Sequence, residues 1–377
     1  MLKVAIVGCG KIADAHVAQI QRIADTEIVG ACDREPLMAR QLADRFPIKE
    51  CYSDVRALLK EAQPDVVHIT TPPESHFDLA KICLEAGSHV YVEKPFAIDE
   101  PQVQTLIKLA NDRGLKLTAG HDDQFSHVAR RLRAAVQRGF LGDKIVHMES
   151  YYGYELSANG YAGALLGDKN HWVRRLPGKL LHNIISHGIA RIAEFLTDDN
   201  PQVVAYGFTS KFLRERGETE ITDELRVIIA EQGGATSYFT FSSQMRPSLH
   251  LFRIYGNENG LVLDQDQETL IKLRGAKFKS YAEKFVPPVS FARQYLSNLR
   301  TNLRYFWNRD FQMKAGMKCL IESFYRSIKD GTAPPIPYRE ILLTARIMDD
   351  IFYQLNHTSP ETGAPETLPA PPTLAVR

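Results

Sequence analysis

A glycine-rich turn directly follows the first apolar run of the sequence, Lys3-Val4-Ala5-Ile6-Val7. The turn reads Gly8-Cys9-Gly10-Lys11-Ile12-Ala13 and opens a segment whose apolar residues recur at helical spacing. Its first glycine permits a tight turn, its second lets the backbone approach a pyrophosphate, and its alanine lets helix and strand pack closely. Backbone N–H groups at the start of a helix attract anions. The turn therefore predicts a dinucleotide-binding site at Gly8, Gly10, Lys11, Ile12 and Ala13.

An acidic residue ends the second predicted strand. Asp33 lies at the distance from the glycine turn that is expected of a carboxylate gripping the ribose hydroxyls of a dinucleotide. A carboxylate at this position repels a 2′-phosphate and favours NAD, whereas the adjacent Arg34 could pair with such a phosphate. NAD is therefore the expected cofactor, with NADP as the alternative.

A lysine follows the predicted strand His89-Val90-Tyr91-Val92, within the tripeptide Glu93-Lys94-Pro95. Ligands of parallel sheets bind at the carboxyl ends of the strands, so Lys94 is expected to point into the cofactor crevice. Burial and the positive charge of an oxidised nicotinamide both lower a lysine pKa toward the range that is useful for proton transfer. Lys94 is therefore a candidate general acid or base, and Glu93 is a candidate partner for a nearby cation.

Three motifs together resemble the Gfo/Idh/MocA family, which is named for glucose-fructose oxidoreductase and inositol dehydrogenase. They are the glycine turn, Thr70-Thr71-Pro72-Pro73-Glu74-Ser75-His76, and Gly87-Ser88-His89-Val90-Tyr91-Val92-Glu93-Lys94-Pro95. The resemblance covers residues 1–270 and implies hydride transfer to or from sugars, cyclitols or nucleotide sugars. It implies that the residues near the cofactor include Thr71, Pro72, His76, Glu93, Lys94 and His121.

The downstream Asp-x-x-x-His pair of the family has its counterpart in Asn183 and His187. These two residues are four apart and would share one face of a helix. Because an amide cannot ionise, Asn183 can orient a hydroxyl or an imidazole but cannot stabilise an imidazolium as a carboxylate would. We therefore expect Lys94 and His187 to transfer protons, with Asn183 as the third catalytic residue. The neighbouring His182 would lie about 100° around the helix from Asn183, which makes it a weaker candidate.

Residues 151–178 carry aromatic and cationic side chains, which suit stacking on a sugar face and binding a carboxylate or a phosphate. Trp172 and Arg174 are the substrate contacts expected there, and packing at a domain interface is the alternative. By resemblance Gln124 also lies near the substrate, at about the place of a family arginine. The side chains of this kind in the segment are Tyr151, Tyr152, Tyr154, Tyr161, His171, Trp172, Arg174 and Arg175.

The leading hypothesis is an NAD(P)-dependent oxidoreductase acting on a secondary alcohol of a sugar, sugar acid or nucleotide sugar. One alternative is a redox-neutral glycosidase or lyase, in which transient oxidation acidifies a neighbouring C–H bond. A second alternative is a non-catalytic nicotinamide-binding sensor. No metal site is expected, because the histidines lack a convincing set of carboxylate or thiolate partners.

Short apolar runs alternate with amphipathic segments in the first third of the chain, which is the pattern of βαβ units around a parallel sheet. After a helical run at 128–138, strands follow one another without intervening helices. The predicted fold class is α/β, with an N-terminal Rossmann domain over residues 1–122 and an α+β domain with a large, mostly antiparallel open sheet over residues 123–356. A C-terminal helix is expected to pack back on the first domain, and the proline-rich residues 357–377 are expected to be disordered. The predicted strands span 3–7, 27–32, 65–70, 89–92, 115–119, 144–152, 202–209, 224–231, 235–242 and 249–255, and the last helices span 312–329 and 339–356.

The composition of the chain limits the kinds of partner that it can have. Its 377 residues include 46 Lys and Arg against 45 Asp and Glu, so net charge gives no long-range attraction to nucleic acid. The five cysteines show no metal-ligand spacing and do not suggest a full disulfide framework, which favours a cytoplasmic setting. The apolar N-terminal run is too short to span a membrane. An open sheet needs cover for its second face, which predicts a homodimer or homotetramer.

The segment 275–314 combines basic and aromatic side chains. One interpretation is an amphipathic helix at a membrane interface. The interpretation favoured by sequence alone is packing on another domain or subunit, because apolar stripes are mostly part of a core.

Overall fold

The computed structural model describes residues 1–156, 165, 167–275, 279, 281–311 and 314–357. Tyr161, almost all of the proline-rich tail and parts of the segment 275–314 lie outside the described residues. Within them the chain builds two sheets and two hydrophobic cores.

The first sheet is wholly parallel and has the strand order β3-β2-β1-β4-β5-β6. This is the order of a doubly wound dinucleotide-binding fold, whose ligand crevice opens where the order reverses, between β1 and β4. Its central strands are buried along almost their whole length, which is why they are near-continuous runs of Val, Ile and Ala. The strands are β1 Leu2–Val7, β2 Thr26–Cys32, β3 Cys51–Tyr52, β4 Val66–Ile69, β5 His89–Val92 and β6 Leu117–Ala119.

The second sheet is mixed, with the order β13-β12-β11-β7-β10-β9-β8. Only β7 and β10 pair in parallel, and the other neighbours are antiparallel. The predicted fold class, a Rossmann sheet followed by a mostly antiparallel sheet, is confirmed. The sequence analysis missed β3, β12 and β13. The strands are β7 Ile145–Gly153, β8 Gln202–Phe208, β9 Glu224–Ala230, β10 Thr236–Ser242, β11 His250–Gly256, β12 Asn259–Asp264 and β13 Thr269–Arg274.

The C-terminal helices tie the two sheets together. Helix α11 inserts Met317, Leu320 and Phe324 into the core of the first sheet, although it follows the whole second sheet in the chain. Helix α12 lies against the second core and pairs Arg346 with Glu100 at 2.6 Å. In the described residues the helices are α1 Lys11–Ile20, α2 Pro36–Arg45, α3 Val55–Ala62, α4 His76–Glu85, α5 Glu100–Asp112, α6 His127–Gln137, α7 Lys179–Ile184, α8 Ser186–Ala193, α9 Lys211–Arg214, α10 Ala282–Trp307, α11 Ala315–Asp330 and α12 Tyr338–His357.

Helix α10 is long and largely exposed. Among its 26 residues only Asn298 is fully buried. Across the described part of the chain, no helix combines the length and the apolar character needed to cross a bilayer.

Helix α8 approaches the second sheet closely at Gly188. A Cβ built on this glycine would lie 2.3 Å from Cε2 of Phe239, a ring that is completely buried in β10. Only hydrogen at this position lets α8, and with it the preceding His187, lie so near the sheet.

Gly188→Ala should therefore lower the free energy of unfolding by about 1–3 kcal/mol through overpacking. Urea denaturation would measure the change. The matched control is Gly167→Ala, where a new Cβ would meet no atom of the described residues within 4 Å. Equal stability of the two variants would contradict the close approach.

Candidate active site

The glycine turn leaves the start of α1 open. Gly8 has a φ of +95°, and a Cβ there would lie 2.6 Å from Cγ2 of Thr71, so only glycine fits between β1 and the end of β4. A Cβ on Gly10 would meet no atom within 4 Å, and no side chain caps the helix. The first N–H groups of α1, at Lys11 and Ile12, therefore border a space that can take a pyrophosphate.

Asp33 lies beside this turn, just after β2. Its Oδ2 accepts a hydrogen bond from the backbone N–H of Cys9 at 2.7 Å, and its Oδ1 accepts one from Glu35 N–H at 3.0 Å. The two bonds fix the carboxylate at the edge of the glycine turn, where the ribose of a dinucleotide would lie. The adjacent Arg34 is exposed.

Lys94 lies at the carboxyl end of β5 and reaches the second domain. Its Nζ donates to the main-chain carbonyl oxygen of Asn183 at 3.0 Å. Burial lowers the pKa of Lys94, although the negative charges of Glu93, Asp122 and Asp123 oppose the shift. The amine is therefore easier to deprotonate than that of an exposed lysine.

A chain of buried polar side chains fixes Glu93 next to Lys94. The hydroxyl of Tyr325 lies 2.7 Å from His68 Nε2, and His68 Nδ1 lies 2.9 Å from His16 Nδ1. His16 Nε2 in turn lies 2.8 Å from Glu93 Oε1. Burial by itself would raise the pKa of Glu93, but the hydrogen bond and charge of His16 lower it to about 2. Glu93 is therefore an anion that can only accept, so His16 Nε2 donates to it.

His187, near the start of α8, has Asp123 as its acidic neighbour. Its Nδ1 lies 3.6 Å from Asp123 Oδ2 and makes no hydrogen bond within the described residues. Burial lowers the pKa of His187 to about 4, although Asp123 opposes the shift. The His121 ring lies 6.1 Å away, and burial lowers its pKa to about 3. Both imidazoles are therefore neutral near pH 7, and in the part of the chain described His121 Nε2 is also without a partner.

A second lysine balances the acidic side chains of the site. Lys314 Nζ lies 3.7 Å from Asp122 Oδ2, and this carboxylate raises the pKa of the lysine. Burial, and then the charge of Asp123, raise the pKa of Asp122 itself. Ligand atoms of Asp122, Asp123 and His187 lie within 4.8 Å of one another, as a metal site would require. Since Lys314 and Lys94 already place positive charge beside these carboxylates, the geometry does not call for a cation.

A cavity of about 590 Å³ lies beside these groups, and Asp122, Asp123, Tyr152, His250 and Asp266 contribute to its wall. Tyr152 is stacked parallel to His187, with 6.5 Å between ring centroids. His250 packs edge-on against Tyr152 and pairs with Asp266 at 2.7 Å. Such a mixture of aromatic faces and hydrogen-bonding groups suits a polyhydroxylated ligand.

Three expected substrate contacts also have partners within the protein. Gln124 is buried and donates to Ala190 O and Glu194 Oε2, so it joins the end of the first sheet to α8. Its Oε1, however, has no hydrogen-bond partner among the described residues. Arg174 pairs with Glu218 at 2.6 Å, and Trp172 is half-buried against the second hydrophobic core. Substrate contact by these three residues therefore stays a prediction.

Two further expectations are corrected by local geometry. Asn183 and His187 do not share one helix, because α7 ends at Ile184 and α8 begins at Ser186. The contact from Asn183 to Lys94 comes from its main-chain carbonyl. His76 places one ring nitrogen 2.9 Å from Pro95 O and the other 2.8 Å from Thr71 O, so it positions the backbone and has no ring nitrogen left for a cofactor.

Several residues that the fold brings to the site were not predicted from the sequence. Asp122 and Asp123 directly follow the expected cofactor residue His121, so their position after the last parallel strand was an available signal. Lys314 and His250 come from distant parts of the chain, and no local pattern marks them. His16 looked like an ordinary helical position because its partners lie on other elements.

The comparisons with known proteins agree with this geometry. The model of the GFO_IDH_MocA family, described as an oxidoreductase family with an NAD-binding Rossmann fold, matches residues 2–121. The predicted family resemblance and the NAD-binding fold are thereby confirmed. The open glycine turn and the buried, unpartnered His121 Nε2 fit a nicotinamide dinucleotide along this crevice.

Named relatives match part of the chain. D-glucoside 3-dehydrogenase of Escherichia coli is 33% identical over 38% of this chain and 41% of its own length. UDP-N-acetylglucosamine 3-dehydrogenase of Acidithiobacillus ferrooxidans is 30% identical over 39% of this chain and 45% of its own length. The match thus spans less than half of these relatives. The solved WlbA dehydrogenase from Bordetella pertussis, in complex with NADH and UDP-GlcNAcA, shares the fold with a TM-score of 0.73, 17% identity, and coverage of 94% of this chain and 97% of its own.

Replacing His16 tests the buried chain. His16→Leu should lower the free energy of unfolding at pH 7 by about 2–4 kcal/mol, because the buried Glu93 carboxylate loses its donor. The pKa of Glu93 is depressed in the folded state. Its contribution to the free energy of unfolding is therefore fully present above pH 4.5, the ordinary pKa of a glutamate, and is lost as pH falls toward about 2.

Urea denaturation across that pH range should therefore show the difference between wild type and variant shrinking in acid. Adding Glu93→Gln removes the unsatisfied charge and should recover part of the loss. A loss that does not change with pH would mean that His16 acts through packing alone.

Proposed function

We propose that this chain transfers a hydride between NAD and a secondary alcohol or ketone of a sugar, sugar acid or nucleotide sugar. Residues 2–121 match the model of an oxidoreductase family with an NAD-binding Rossmann fold, which supports the cofactor and the reaction type. The proposal rests on the position of Lys94 and His187, two groups that can transfer a proton, beside the dinucleotide crevice. The amine of Lys94 donates to the carbonyl oxygen of Asn183, at the end of α7, and His187 lies four residues further along the chain, near the start of α8.

Lys94 and His187 handle the proton of the substrate hydroxyl, while NAD, when bound, accepts or returns the hydride. The lowered pKa of Lys94 increases its neutral fraction, which is the form that accepts a proton during oxidation. Neutral His187 can accept a hydrogen bond from the hydroxyl or donate one, according to its tautomer. In reduction the same groups return the proton to the oxygen of the ketone.

Asp123 supplies the carboxylate that Asn183 lacks. From 3.6 Å it can orient the imidazole of His187 and stabilise it when it takes up a proton. The amide at position 183 therefore does not leave the imidazole without an acidic neighbour, because the Rossmann side of the site provides one.

The substrate class follows from the wall of the cleft and from the names of the relatives. Tyr152 offers a ring face, and His250 and Asp266 offer hydrogen-bonding atoms, as recognition of a sugar ring requires. The named relatives are dehydrogenases of a glucoside and of a nucleotide sugar. Both observations support a carbohydrate.

The test is a fluorescence titration with NADH and NADPH, followed by a screen of sugars, sugar acids and nucleotide sugars. Tighter binding of NADH would agree with the carboxylate of Asp33. Net change in reduced nicotinamide with one sugar would establish the dehydrogenase. Conversion without net change would instead establish a redox-neutral enzyme, and cofactor binding without any turnover would favour a sensor.

Lys94→Arg should lower kcat by about 10²–10⁴-fold, because arginine keeps the positive charge but cannot give up its proton. The NADH dissociation constant should change little. In wild type the rate of alcohol oxidation should rise with pH as Lys94 deprotonates, and the variant should lack this rise.

His187→Ala should also lower kcat, whereas the exposed-lysine control Lys81→Ala should not. Near-normal turnover of Lys94→Arg would remove lysine from the mechanism.

We also propose that the chain self-associates through the open face of its second sheet. Val204, Ile228 and Tyr238 are direct cross-strand neighbours in β8, β9 and β10, and 60%, 47% and 48% of their surfaces are exposed. Tyr206 adds a fourth exposed apolar side chain to the same face. A continuous apolar patch of this kind on a sheet is typical of a subunit interface.

Ile228→Asp would place a charge in the middle of this face and should reduce the molar mass in light scattering toward the 42.5 kDa of one chain. Tyr353→Asp is the control, since Tyr353 is 65% exposed on α12. A wild-type protein that is already monomeric would reject the interface.

A further inference from the structure

Helix α10 packs on the protein with its polar side. Asn298 accepts from Leu270 N–H and donates to Leu270 O, both at 3.1 Å, and Gln294 makes the same pair of bonds with Lys272 at 2.7 and 3.1 Å. Leu270 and Lys272 belong to β13, the last strand of the second sheet. The two amides therefore satisfy the free backbone groups of a sheet edge, which explains why the polar stripe faces inward.

The apolar stripe of α10 faces away from the protein. Its members recur at helical spacing, and each exposes between 40% and 69% of its surface. They are Phe285, Leu296, Leu299 and Leu303. Trp307 at the end of the helix is 72% exposed. An amphipathic helix normally buries this stripe, so the exposed face is built to meet something outside the protomer.

A basic stripe borders the apolar one. Arg293, Arg300 and Arg304 are all exposed and are spaced by seven and four residues, which puts them along one edge of the helix. Lys284 and Arg309 lie near the two ends, each beside an acidic residue, Glu283 and Asp310, and no acidic residue occurs between positions 284 and 309. The whole chain has 46 basic and 45 acidic residues, so this positive surface is a local feature.

We propose that α10 binds the surface of an anionic lipid bilayer, with its axis in the membrane plane and its apolar stripe among the lipid headgroups. Exposed Phe, Leu and Trp beside arginines are the composition of helices that lie at a bilayer interface. A second copy of the chain fits less well, because pairing two such faces would bring their arginine edges together without acidic partners.

The membrane-facing end of α10 adjoins the proposed active site. Phe306, Trp307, Arg309 and Phe311 border a surface hollow of about 460 Å³, and Phe311 also lines the cleft beside Asp122. A helix lying on a bilayer would therefore hold the mouth of that cleft close to the lipid headgroups.

The experiment is cosedimentation of the full-length protein with vesicles of pure phosphatidylglycerol or pure phosphatidylcholine. Binding is expected to the anionic vesicles, to be weaker to the neutral ones, and to fall with added salt. Arg300→Glu/Arg304→Glu should weaken binding by about twentyfold or more, since each basic residue near an anionic surface strengthens it about fivefold. Leu296→Ser/Leu299→Ser should also weaken it. Cosedimentation does not require enzymatic turnover, so its result is independent of the proposed reaction.

The charge-matched control is Arg56→Glu/Lys60→Glu on α3, where both side chains are exposed, and the apolar control is Tyr353→Ser on α12, outside the proposed subunit interface. Both should bind vesicles like wild type, and unchanged circular dichroism and NADH binding would show that all variants fold. Equal binding to both lipids, or no binding, would overturn the proposal. So would a fall in molar mass of Leu296→Ser/Leu299→Ser in light scattering, because a second copy would then cover the stripe.

Discussion

The buried carboxylate of Glu93 is the constraint on which the site depends. A carboxylate removed from water must be compensated, and here the compensation comes from His16 on α1, which is linked through His68 on β4 to Tyr325 on α11. The chain therefore joins the glycine-turn helix, two central strands and a C-terminal helix at one point. Any shift of these elements would leave a polar group unsatisfied in the core, so the same interaction that ionises Glu93 also fixes the strand end that carries Lys94.

The C-terminal helices complete a site that the first sheet begins. Helix α11 fills the first core with Met317 and Phe324, and Lys314 just before it balances Asp122. Helix α8 brings His187 to the carboxylate of Asp123 because glycine at 188 allows it to lie against Phe239. The groups that we propose to transfer protons thus come from separate segments, and their mutual distances are set by packing between the sheets rather than by local sequence.

The sequence could predict the residues that strand order places, but not those that packing between distant segments places. The glycine turn, Asp33 and Lys94 lie at positions that follow from strand order, so the pattern of a parallel sheet was enough to place them. His187 required the resemblance to a family. The protein partners of Gln124 and Arg174, Glu194 and Glu218, could not be foreseen, because a polar residue type does not reveal which side chains the fold brings to it. Strands β12 and β13 were missed although Gly256-Asn257-Glu258-Asn259-Gly260 is a run of turn residues, and each of these strands is only six residues long. Lys314 could not be found, since its role exists only when α11 folds back across the chain.

Two apolar surfaces stay exposed in the folded chain. The charged side chains around them differ and favour different partners. On the open sheet face, the neighbours Arg226 and Glu224 pair with each other, as do Arg253 and Glu149, so the local charge is balanced and a second copy meets no net repulsion. On α10 the only acidic residue is Glu283 in the first turn, and every charged residue between positions 284 and 309 is basic. Hydrophobic burial by itself would favour covering either surface. The unbalanced charge of α10 would make self-association costly and attraction to an anionic surface favourable, and for this reason we propose different partners for the two faces.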